Sequence, residues 1–112
     1  MDDATPLLRA VDRLADRLRA LPQSRLHQGA AAEGLALARE LSVRAQCLEE
    51  PGNPPRIMPD AGVFVIADQL AVAGHDLVHA LEHAPGGAAD TGSGRISEAV
   101  ALVEATAGRC GL

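Results

Sequence analysis

Tryptophan, tyrosine and lysine are absent from this chain of 112 residues, and one phenylalanine, Phe64, is its whole aromatic complement. Aromatic side chains normally supply the largest buried areas. The core must therefore rest on leucine, valine and the close backbone approach that alanine permits. A basic stripe is missing too: ten arginines stand against fifteen acids, for a net charge of −5. Such a chain has little with which to displace counterions from phosphates, which argues against nucleic-acid binding. The most apolar run, Ala61 to Ala67, is interrupted by Asp68 and is far too short to span a bilayer, so no membrane partner is expected. The N-terminus meets Asp2-Asp3 with no apolar stretch, so no signal peptide and a cytoplasmic location are expected. There Cys47 and Cys110 are expected as reduced thiols, and without a C-x-x-C spacing they make no zinc site by themselves.

What is present is helical patterning. Thr5 is placed to cap a first helix, Pro6 suits its first position, and Leu7, Val11, Leu14, Leu18 and Leu21 follow at steps of four and three before Pro22. The helix is expected over 6–20. A second, over 24–49, places Leu26, Ala30, Leu37, Leu41 and Leu48 on one face and Ala32, Ala36, Val43 and Cys47 on another. Gly29 marks a kink or a later start within it. The Pro-rich stretch 50–58 cannot be helical. Pro59 and Asp60 read as the first turn of a third helix over 59–84, held on Val63, Ile66, Leu70, Ala73, Leu77 and Leu81. Residues 85–94 read as a flexible Gly-rich loop without the Lys-Ser/Thr ending of a phosphate loop. A fourth helix is expected over 95–107, capped by Gly108, and 109–112 as a loose tail.

Four amphipathic segments in one domain spanning 1–112 predict an all-α, four-helix up-down bundle. In that topology the second and fourth helices end at one pole, which would bring Cys47 and Cys110 to the same end. Small side chains give each helix a modest gain from packing, so pairing with a second copy is a natural supplement.

Chemistry concentrates on the third helix. At about 100° per residue, Asp68, His75, His79 and Glu82 fall on one stripe opposite the core face, with His83 beside it. Histidines at i and i+4 flanked by carboxylates are a metal-chelating pattern. The same residues also describe a plain solvated helix face, and bundle di-metal sites need inward ligands from every helix. The segment His75-Asp76-Leu77-x-x-x-Leu81 resembles the phospho-accepting helix of histidine kinases, which would make His75 a phosphoryl acceptor. Ala80 and Val78 depart from the kinase and phosphotransfer patterns at positions where proline and lysine are usual. Neither cysteine has a neighbouring histidine to lower its pKa, and no Gly-x-Ser-x-Gly elbow occurs. No cofactor is called for.

The abundance of alanine, arginine, glycine and proline matches the codon bias of a GC-rich bacterial genome. With segments such as Leu14 to Leu26, the chain resembles small Ala/Arg-rich helical proteins of unknown function from high-GC actinobacteria. That resemblance implies a bundle and brings no activity with it. The expectation is a non-enzymatic interaction or regulatory module acting through protein contacts, and the alternative is a metal- or ligand-binding face on the third helix.

Overall fold

The computed structural model describes residues 3–83 and 89–112, the side chains of 89–93 excepted. The chain is an all-α four-helix bundle made of α1 (Thr5–Ala20), α2 (Ala31–Glu49), α3 (Ile66–His83) and α4 (Ala89–Arg109). There is no strand among the described residues. In α1 the residues at four-three spacing, Leu7, Val11, Leu14 and Leu18, are the buried ones. Its boundary differs from the expectation by one residue. Ala4 occupies the cap position, and Asp3 takes the capping role by accepting the Thr5 N–H at 2.9 Å. That hydrogen bond holds the Asp3 carboxyl below the usual carboxylate range.

The approach to α2 is broken where Gly29 stands. A single turn at Gln23–Arg25 passes into a widened π turn at Leu26–Ala30, with Gly29 at φ 136°. Leu26 and Ala30 are both buried across this turn, and α2 starts only at Ala31.

Helix directions depart from simple alternation. Arg19 of α1 meets Asp68 at 2.9 Å and Asp12 meets His75 at 2.8 Å, so α1 and α3 are antiparallel. Gly34 abuts Ile66, while Leu48 shares a hollow with Leu77 and Leu81, so α2 and α3 run the same way. Arg44 reaches Glu98 and Arg109 reaches Glu33, which sets α4 antiparallel to α2. The order is up, down, down, up. Helix α3 packs against both α1 and α2, α4 closes the other side against the same pair, and α1 and α2 stand diagonally.

Parallel neighbours in sequence need a long return, and residues 50–62 provide it. The side-chain amide of Gln46 imitates a strand edge, donating to Arg56 O at 2.8 Å and accepting Arg56 N–H at 2.8 Å. Arg39 Nε donates to Met58 O at 2.8 Å, and Gln69 Nε2 donates to Pro59 O at 2.9 Å. This strap explains why the third helix does not begin at Pro59. The segment Pro59–Gly62 is still travelling back along α2, Asp60 Oδ1 accepts the Gly62 N–H in a tight turn, and helical geometry starts at Val63–Val65.

Two further expectations change. Ala89 to Gly94, read as part of a flexible loop, are the opening turns of α4, and 85–88 lie outside the described residues. The end of the chain is packed rather than loose. Gly111, at φ 75°, takes the left-handed position that closes α4, with Leu112 N–H on Ala107 O at 2.8 Å and Gly111 N–H on Gly108 O at 3.1 Å. That pair of bonds is the Schellman arrangement, and it puts the cap at Gly111 rather than Gly108. Cys110 is buried beside Ala30, and Arg25 Nη2 donates to its carbonyl at 3.1 Å. Cys110 therefore sits at the pole where α2 begins, and Cys47 near the pole where α2 ends. The two thiols are at opposite ends because α2 and α4 are antiparallel.

Candidate functional site

The four residues predicted as a metal face do lie on the outward side of α3, but the bundle gives them separate tasks. Asp68 accepts from Arg19, which also holds Asp16 at 3.0 Å. His75 Nε2 is 2.8 Å from Asp12 Oδ1 on α1. His79 stacks on His83 with ring centroids 4.3 Å apart, and His83 Nδ1 is 3.0 Å from the His79 carbonyl oxygen. Glu82 is exposed. Among the described residues no three His, Cys, Asp or Glu side chains converge as a metal site would require. Part of the physical reason lies on the neighbouring helix: Arg19 and Asp12 of α1 engage Asp68 and His75, two of the four groups that would have to converge.

The same geometry bears on His75 as a phosphoryl acceptor. A transferred phosphoryl group needs arginine, lysine or amide donors around it. The side chain set against His75 is a carboxylate, Asp12 across the seam. It would repel the incoming charge.

Glu33 and Glu40, seven residues apart on α2, also act structurally. Glu33 pairs with Arg109 at 2.7 Å, and Glu40 pairs with Arg44 at 2.8 Å. The Glu40 hydrogen bond is the main reason the Arg44 guanidinium is held even more firmly protonated than usual. Cys110 is inert for a different reason: burial pushes its thiol above the usual range.

The residue that stands out in space is one the helical pattern does not single out. Phe64, the sole aromatic, is 78% exposed. It lies in the short turn before α3, off the Val63/Ile66/Leu70 stripe that faces the core. Beside it opens a groove of about 530 Å³, formed where the Leu26–Ala30 turn, the start of α2 and the end of the strap come together. Leu26, Leu35 and Ile66 form its buried apolar floor, and His27 and Asp60 are exposed polar residues on its lining. Two more large apolar side chains are exposed, Ile57 and Val72. Ile57 of the strap lines a hollow with Asp76, and Val72 stands one turn before Asp76 on α3. The signal for Phe64 was its exclusion from the core stripe, and the signal for the groove was Gly29. The meeting of the two depended on a return strap that composition does not reveal.

The stretch Val63–His83 is long and apolar enough by composition to cross a membrane, with a mean hydropathy of 1.2. In the bundle its apolar stripe is covered by α1 and α2. No family model, curated protein or solved structure matches this chain.

Proposed function

We propose that this protein is a non-enzymatic helical interaction module that works through protein–protein contact, pairing first with a second copy of itself at the Phe64 pole. The observation that carries this reading is the 78% exposure of the only aromatic side chain, next to an apolar groove of about 530 Å³. Aromatic residues dominate the energetics of interfaces when they enter a fitted pocket. Exposed on a monomer, a phenyl ring forgoes that gain.

A second copy is the occupant that the surface fits without further assumption. A two-fold contact uses the same patch on both partners, and this patch contains both a projecting ring and an adjoining hollow. Each Phe64 then enters the partner's groove against Leu26 and Leu35. His27 and Asp60 lie around that groove and supply opposite polarity at the rim. The pairing also supplies the large apolar contact that an alanine-built core lacks. We place such a module in the cytoplasm, where an exposed thiol such as Cys47 stays reduced.

Sedimentation across a wide concentration range, on the native chain and on Phe64→Ser, tests the reading. The native chain is expected to pass from monomer to dimer with rising concentration, and Phe64→Ser to stay monomeric while keeping its helical circular dichroism. A native chain that stays monomeric throughout, or a variant that dimerises equally well, overturns it.

A further inference from the structure

The ten arginines of this chain are not used alike. Arg19, Arg25, Arg39, Arg44, Arg56 and Arg109 each donate to a carboxylate or carbonyl elsewhere in the bundle, and Arg95 is engaged as well. The three that make no hydrogen bond or ion pair among the described residues are Arg9, Arg13 and Arg17. They stand at successive steps of four on α1, so they form one ladder along the helix.

The structure separates some of the charges that the sequence interleaves. Asp12 meets His75 on α3, and Asp16 pairs with Arg19, which itself reaches Asp68. Arg9 stands on the outward face of the helix with Asp16, and Arg13 and Arg17 lie on its α4 side. There Arg13 and Arg17 border a hollow of about 260 Å³ between α1 and α4, with Ala10, Leu14, Val103, Ala107 and Leu112 as its apolar lining. Glu104 is the one acidic side chain of that lining, set against two arginine side chains.

We infer that this flank of α1 is a docking surface for an acidic amphipathic helix of a partner protein. Guanidinium groups one turn apart, about 6 Å, match carboxylates at i and i+4 on a facing helix. The apolar hollow alongside receives that helix's leucines, the usual helix-in-groove arrangement. A nucleic-acid strand fits less well. It would be repelled by the net charge of −5 and would find no aromatic side chain here to stack on. The site is separate from the Phe64 pole and does not depend on the pairing proposed there.

The test uses three probes with the full-length protein. One is a fluorescent 18-residue peptide with glutamates at i, i+4 and i+8 and leucines on the other face; one is the same peptide with glutamines for those glutamates. The third is an 18-nucleotide oligothymidylate. The acidic peptide is expected to bind, to weaken as salt rises, and to bind Arg13→Gln/Arg17→Gln about tenfold less tightly, each exposed pair contributing about threefold. Phe64→Ser is expected to bind it as the native chain does, which separates this result from failure of the dimer. Melting temperatures of all variants check that they fold. Equal binding of the glutamine peptide, binding of the oligonucleotide in place of the peptide, absence of any binding, or a double variant that binds unchanged each overturns the inference.

Discussion

The seam between α1 and α3 and the groove at the Phe64 pole are built from the same kinds of residue, yet one is closed and the other open. In the seam Gly74 lets the two backbones approach until a Cβ at that position would meet Val11 Cγ2 at 2.7 Å and Val11 Cβ at 3.0 Å. At the pole Gly29 and Gly62 have no atom within 4 Å of such a Cβ. One set of glycines draws helices together; the other turns the chain and leaves space. The difference explains where the aromatic residue is found. A seam closed to the width of glycine and valine admits no phenyl ring, and the ring stands instead beside a groove where the packing opens.

The strongest way to break that contrast is to enlarge a seam glycine. Gly74→Ala presses on a β-branched side chain that cannot turn away, because all three nearest atoms belong to Val11. Overpacking of this kind costs about 1–3 kcal/mol, against a gain of about 1 kcal/mol in helix propensity. A net loss of up to about 2 kcal/mol is expected, seen as a drop in melting temperature of up to about 10 °C. Gly34→Ala is the milder case, since its Cβ would meet one methyl of a β-branched side chain, Ile66 Cγ2 at 2.7 Å, and the flexible tip Leu18 Cδ1 at 3.3 Å. It should stay within about 1 kcal/mol of the native chain. Val11→Ala should cost less in the Gly74→Ala background than in the native chain, because it removes the methyls on which the new Cβ presses. Equal effects of the two glycine variants would show that the seam is not set by the Gly74–Val11 approach.

At the open pole the expected change in stability is much smaller. Phe64→Ser removes a side chain that is largely in water, so the dilute monomer should melt within about 0.5 kcal/mol of the native chain. The same substitution is the one expected to abolish dimerisation. A core position behaves in the opposite way, with a large stability loss, so the two readouts distinguish an interface residue from a packing residue. A loss of several kcal/mol in the monomer would mean that Phe64 belongs to the fold.

How much of this was legible beforehand divides along the same line. Periodicity identified the core faces of the first three helices, because Leu7, Val11, Leu14 and Leu18, or Leu70, Leu77 and Leu81, are placed by spacing alone. Helix direction was not legible. It follows from whether 50–62 is a short turn or a return strap, and that depends on Gln46, Arg39 and Gln69 holding backbone groups 10 to 19 residues away. With α3 parallel to α2 instead of antiparallel, Cys110 moves to the pole opposite Cys47. The polar face of α3 was placed correctly as a face. What its members do was decided by α1, because single-helix geometry does not show that Asp12 and Arg19 reach across to His75 and Asp68.

The smallest expected effect concerns the strap that makes the open pole. Its start is held by Glu50, which accepts from Arg56 at 3.1 Å, and that bond keeps the Glu50 carboxyl below the usual range. A carboxyl depressed on folding adds stability above the ordinary glutamate range, and that contribution disappears as pH falls through the folded-state value. Acidification below about pH 4 should therefore loosen the 50–56 turn. The effect is slight because the pair is solvent-exposed. The Gln46 clamp on the Arg56 backbone does not titrate, so the strap should stay seated while its first turn frays. Hydrogen exchange at the Arg56 amide reads this directly, since that N–H is bound to Gln46 Oε1. Protection, corrected for the intrinsic pH dependence of exchange, should fall modestly in acid in the native chain. In Glu50→Gln it should be lower at neutral pH and nearly flat. If acid instead strips the amide of all protection while the helices persist, the Glu50–Arg56 pair rather than Gln46 holds the strap.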